Sequence, residues 1–150
     1  VTDRQLARCR ILIVEDEYLL ADELAIELAE LGATVLGPAP DVQTALRLLS
    51  DGEALNGAVL DINLGGEPAF PVADRLIAQG VPIVFTTGYD AAAMPDRFKN
   101  VPRCEKPFSI ARMTAAMVKA FRPSFGASLA STCRECSVAL AGTRPRSRPA

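Results

Sequence analysis

Five times along the chain a short strand-like segment gives way to a stretch with helical spacing, and no other feature restricts the fold as much. "ILIV" at 11–14 is an apolar run of the buried-strand kind. Behind it Leu20, Leu24, Leu28 and Leu31 recur with acids between them, an amphipathic helix that Gly32 ends. "ATVLGPA" is a second short strand with a Gly-Pro exit, and Asp41 caps a helix carrying Val42, Ala45, Leu46 and Leu49. "GAVLDINL" reads as a buried strand and "GGEP" as a turn. Phe70, Ala73, Leu76 and Ile77 then form the apolar face of a third helix, closed by Gly80. "VPIVFTTG" is a fourth strand, rich in β-branched residues. In "DAAAMPDRFK" Pro95 interrupts a helix interior, so a short or broken helix is expected. "VPRCEKP" supplies the fifth strand, and Ser109 caps a last helix with Ile110, Met113, Met117 and Phe121 on one face. Alternating strands and helices need right-handed crossovers, so the expected architecture is α/β: a parallel sheet with helices on both faces.

A chain of 150 residues that is 49% apolar can build one core of ordinary size, and a charged fraction of 23% is that of a soluble globular protein. No stretch approaches the roughly 18–20 uninterrupted apolar residues of a membrane span, and "VTDRQLARCR" lacks the apolar region of a signal peptide. A cytoplasmic protein without membrane contact is expected. The net charge of −2 is uneven: residues 123–150 carry four Arg and one Glu, leaving −5 on residues 1–122. That acidic body argues against direct DNA binding. Residues 123–150 are rich in small residues, Pro and Arg and have no sustained period, so a disordered tail is expected, too short for a typical helix-turn-helix output domain. Its "CREC", Cys133 and Cys136, offers two of the four ligands of a structural zinc site, and no histidine completes it. Exposed free thiols follow, with metal sharing across a dimer or a redox pair as alternatives.

In a parallel α/β sheet, ligands bind beyond the carboxyl ends of the strands. The polar residues at those ends are Glu15 and Asp16 after the first strand, Asp61 after the third, Thr86 and Thr87 after the fourth, and Glu105 and Lys106 after the fifth. Singly, each is an ordinary helix cap, strand hydroxyl or Lys-Pro pair. Jointly, three carboxylates, a hydroxyl and an ammonium converge on one edge, with Asp61 set in the apolar "AVLDINL". Close carboxylates raise one another's pKa, so either one points away or a cation compensates them.

"ILIVEDE", "AVLDINLGGE", "PIVFTTGYD" and "EKPF", in this order, make the chain resemble the receiver domain of two-component response regulators over residues 8–122. The resemblance implies a flavodoxin-like doubly wound five-stranded sheet of order 2-1-3-4-5. It implies Asp61 as phosphoacceptor, taking a phosphoryl group from a histidine kinase or phosphotransfer protein, and Mg²⁺ as the metal, held by Glu15, Asp16, Asp61 and the backbone carbonyl of Asn63. Lys106 would pair with one phosphoryl oxygen and Thr87 would donate to another. The Lys106–Pro107 bond would be cis, which makes Pro107 a switch candidate. Such a chain is no enzyme in the turnover sense: it assists its own phosphorylation and dephosphorylation. It signals through an unnamed downstream protein or a phosphorelay, as a monomer or weak dimer.

The match departs from the family pattern at three places. Glu15 stands where aspartate is commoner, and its extra methylene still reaches a metal-bound water. Arg103 stands where many receivers have a switch aromatic, and "FTTGY" resembles a subgroup with a Phe-x-Thr-Gly-aromatic run. Tyr89 is then either the residue that takes over signalling or a surface aromatic on a loop. Two rival readings use the same pocket: a Mg²⁺-dependent phosphatase with an aspartyl-phosphate intermediate, and a pseudo-receiver that binds partners without phosphorylation. Against the first, Asn63 occupies the place where such phosphatases often carry a second aspartate.

Overall fold

The computed structural model describes residues 5–52, 54–88 and 94–121. Its sheet has five parallel strands: β1 (Arg10–Val14), β2 (Thr34–Ala39), β3 (Gly57–Asp61), β6 (Ile83–Thr87) and β7 (Arg103–Glu105). Their spatial order is β2-β1-β3-β6-β7, the expected 2-1-3-4-5 once two extra strands are counted in the chain. Those extra strands, β4 (Asn63–Leu64) and β5 (Glu67–Pro68), form a small antiparallel hairpin apart from the sheet. "GAVLDINL" is therefore not one strand. It breaks after Asp61, and Gly65 and Gly66, at φ +60° and +97°, turn the chain back.

Both faces of the sheet are covered, which is why β1, β3 and β6 read as almost unbroken apolar runs. The helices are α1 (Tyr18–Glu30), α2 (Val42–Ser50), α3 (Phe70–Ala78) and α4 (Ile110–Phe121). Ile11, Ile13, Val59 and Val84 pack with Leu24 and Leu28 of α1 and Met113, Met117 and Phe121 of α4. On the other face Leu12, Leu60, Ile83 and Phe85 pack with Val42 and Leu49 of α2 and Val72 and Leu76 of α3. N-caps open α2 and α4 as the sequence suggests: Thr44 N–H donates to Asp41 Oδ1 at 2.7 Å, and Arg112 N–H to Ser109 Oγ at 3.1 Å. Ile77 departs from the expected apolar face of α3. It is exposed, and Val72 is buried instead.

Pro95 is followed by a single 3₁₀ turn, Asp96–Phe98, whose Phe98 ring is fully buried against Phe70 and Phe85. Leu6, before the expected start of the domain at residue 8, is also fully buried, and its N–H donates to Leu31 O at 2.9 Å. Tyr89 and residues 123–150, with Cys133 and Cys136, lie outside the described residues. Among the described residues no helix is long and apolar enough to cross a membrane.

Candidate functional site

Parallel strands share one polarity, so the residues that end β1, β3, β6 and β7 meet at one edge of the sheet. Glu15 extends β1 and is almost completely buried. Asp61, the last residue of β3, is 5% exposed, and Asp16 beside Glu15 is exposed. A carboxylate oxygen from each of the three lies within 4.8 Å of the others. Lys106 reaches them from the far side of β6. Its Nζ stands 2.9 Å from Asp61 Oδ2, 3.2 Å from Glu15 Oε2 and 3.3 Å from Glu17 Oε1.

Backbone groups complete the arrangement. Asn63 N–H donates to Asp61 Oδ1 at 3.1 Å, and Glu17 N–H donates to Glu15 Oε2, also at 3.1 Å. The Asn63 side chain accepts from Gly66 N–H at 2.8 Å, tying the hairpin turn beneath the carboxylates. At Gly65 an added Cβ would lie 3.8 Å from Asp16 Oδ2, so this turn borders the acidic cluster.

Burial is the main reason the Glu15 carboxyl is pushed up from 4.5 to about 7. The Asp61 charge acts the same way, and Lys106 and the Glu17 amide oppose it. Burial acts to lower the Lys106 pKa. The hydrogen bond to Asp61 and the charges of Glu15 and Asp61 outweigh it, and the ammonium is held above its ordinary range. Lys106 is thus charged at neutral pH, while Glu15 sits near its midpoint. Three carboxylates, Glu15, Glu17 and Asp61, pair with this one ammonium, and a fourth, Asp16, lies beside Glu15 and Asp61. A cluster of hard oxygens with surplus negative charge fits a small divalent cation.

The remaining expected residues are dispersed. Thr87 is buried at the end of β6, on the strand alternation of Ile83 and Phe85 rather than that of Val84. Arg103 lies exposed in β7, and its guanidinium donates to Lys99 O at 3.3 Å. The Lys106–Pro107 peptide is cis, as expected, and Pro107 is exposed. Glu17 occupies the N-cap position of α1 without a capping bond and pairs with Lys106 instead. Charge decides this: an ammonium within reach outweighs the partial charge of a helix end. The sequence signal was there, since Glu17 directly follows Glu15 and Asp16. What it did not contain was where Lys106 would arrive.

No protein-family model matches the chain. It is 39% identical to SdrG from Sphingomonas melonis Fr1 in a solution structure, covering 75% of this chain and 94% of that one with a TM-score of 0.64. A response regulator receiver protein from Sinorhizobium medicae WSM419 is 26% identical, with 74% and 92% covered and a TM-score of 0.60. The phyllosphere-induced regulator PhyR of Methylorubrum extorquens is 35% identical over 104 residues, or 68% of this chain and 37% of PhyR. The chain spans little more than a third of the curated relatives it matches. With the strand order, the strand-end carboxylates and 39% identity to SdrG over nearly all of that chain, the chain belongs to the response regulator receiver domain family.

Proposed function

We propose that residues 8–122 act as a Mg²⁺-dependent receiver that accepts a phosphoryl group on Asp61 from a sensor histidine kinase or a histidine phosphotransfer protein. One observation supports this most: a nearly buried aspartate held by a lysine ammonium at 2.9 Å, with two further carboxylates beside it. An Asp61 oxygen attacks the phosphorus of phosphohistidine, the P–N bond breaks, and its electron pair stays on the imidazole. Glu15, Asp16, Asp61 and the backbone carbonyl of Asn63 would hold the metal, which offsets charge on the carboxylates and the transferring group when bound. Lys106 exchanges part of its bonding to Asp61 and Glu15 for a phosphoryl oxygen, and Thr87 donates to another.

Thr87 starts on the other alternation of β6, so reaching the phosphoryl group moves the end of that strand. The surface around Arg103 and Pro107 would change with it, with Tyr89 kept as a switch candidate by sequence, and the change would be read by a downstream protein or used in a phosphorelay in the cytoplasm. Direct DNA contact is not part of this proposal, and a monomer or weak dimer suffices. The test is intact mass after exposure to acetyl phosphate or phosphoramidate with Mg²⁺. One added phosphoryl group is expected on the wild type and none on Asp61→Asn. Labelling of that variant would overturn the proposal.

A further inference from the structure

Thr86 Oγ1 is the one fully buried hydroxyl among the described residues that has no hydrogen-bond partner. Leaving a buried donor unmade costs about 1–3 kcal/mol, and valine would fill nearly the same volume in a strand without that cost. An unsatisfied group of this kind calls for a physical account. Its position supplies one. Thr86 is the register partner of Asp61 across β3 and β6, and of Cys104 across β6 and β7. It shares the alternation of Val84, which packs with α1 and α4, whereas Ile83 and Phe85 face the opposite layer. Asp61 follows Val59 on that same face. Lys106 follows β7 and reaches Asp61 on β3 across β6, the strand that carries Thr86.

We propose that Thr86 finds its partner only in the phosphorylated state. When Lys106 turns to a phosphoryl oxygen, a carboxyl oxygen of Asp61 loses the ammonium that held it, and the Thr86 hydroxyl donates to that oxygen. Thr86 thereby sets how long the phosphoryl group stays. This rests on Asp61 being the phosphoacceptor.

The chemistry fixes the sign of the effect. In hydrolysis a water oxygen bonds to phosphorus as the bond from phosphorus to the Asp61 oxygen breaks. The bonding pair returns to Asp61 as carboxylate, and both water protons leave with the phosphate as dihydrogen phosphate. Negative charge grows on Asp61 in the transition state, so a donor there stabilises that state more than the acyl phosphate. Removing the donor slows the loss. Before phosphorylation the hydroxyl makes no bond to Asp61, so loading does not need it.

The experiment loads wild type, Thr86→Val, Thr86→Ala and Thr86→Ser with acetyl phosphate and Mg²⁺, removes the donor by desalting, and follows intact mass over time. Thr86→Val and Thr86→Ala are expected to load and then to lose the phosphoryl group about fivefold more slowly than wild type, the size of one neutral hydrogen bond. Thr86→Ser, which keeps the hydroxyl, is expected within about twofold of wild type. Thr86→Val should also melt no lower than wild type, since it removes an orphaned donor. Decay of both Val and Ala variants at the wild-type rate, decay of Thr86→Ser as slow as theirs, or failure of folded Thr86→Val to load would each overturn the role of Thr86. If Asp61→Asn stays unlabelled, such a result leaves the phosphoacceptor reading intact. If Asp61→Asn is labelled, both fall together.

Discussion

Lys106 is bonded to three carboxylates at once, and two of them, Glu15 and Asp61, are nearly inaccessible to water. Removing one partner from a buried ion pair strands the rest, so Lys106→Met should lose about 3–5 kcal/mol of stability without metal. Urea unfolding would measure it, and the loss should shrink at low pH, where the carboxylates can protonate. The raised pKa of Glu15 has its own consequence. Folded Glu15 keeps its proton up to about pH 7, whereas the unfolded chain releases it near 4.5. Between those values the unfolded state binds fewer protons, so metal-free stability should fall as pH rises from about 4.5 to 7. Glu15→Gln should flatten that decline in unfolding curves taken across the window. The Lys106 shift runs upward from 10.5, so its contribution stays complete in this range and is lost only at higher pH. At this scale Asp61, Asp16 and Lys106 were legible as strand-end residues. The pairing of Glu17 with Lys106 was not, because 89 residues separate them and no local pattern links them.

The elements are held by close approaches as much as by apolar faces. A Cβ on Gly57, at the start of β3, would lie 2.6–2.9 Å from three ring atoms of Phe121, which is fully buried at the end of α4. Gly57→Ala should therefore cost about 1–3 kcal/mol by overpacking, visible as a lower melting temperature. Combined with Phe121→Leu, the loss should be less than the sum of the two single losses, since one collision underlies both. Gly37 has a backbone reason. At φ +90° an added Cβ would meet Ala39 N at 2.8 Å and Ile13 O at 3.0 Å, where no side chain can swing aside. Element type was legible from spacing and caps, as at Asp41 and Ser109. Element edges and faces were less so. α3 has apolar residues on several sides, and packing on β3 and β6, not periodicity, chose Val72 over Ile77 for burial. The break after Asp61 comes from Gly65 and Gly66 closing a hairpin, which the continuous apolar look of "AVLDINL" concealed.

Over the whole molecule, two apolar layers clamp the sheet and leave its surplus of negative charge at one edge. A cation bound there in the folded state alone must stabilise the fold by mass action, about 2.7 kcal/mol at a hundred times its dissociation constant. The melting temperature should rise with Mg²⁺ concentration in the wild type, and much less in Asp16→Asn, whose exposed side chain is not needed for packing. Equal rises in both would remove Asp16 from the metal site. The α/β architecture, the strand order through the resemblance to receivers, and the carboxylates and lysine that share an edge were all readable from the sequence. These follow from local periodicity and from the common polarity of parallel strands. The folded arrangement was needed to show that Lys106 crosses β6 to bind Glu15, Glu17 and Asp61, that the turn at Gly65 borders Asp16, and that Thr86 is buried beside Asp61 without a partner. Each depends on the distance between segments remote in the chain, and packing sets that distance.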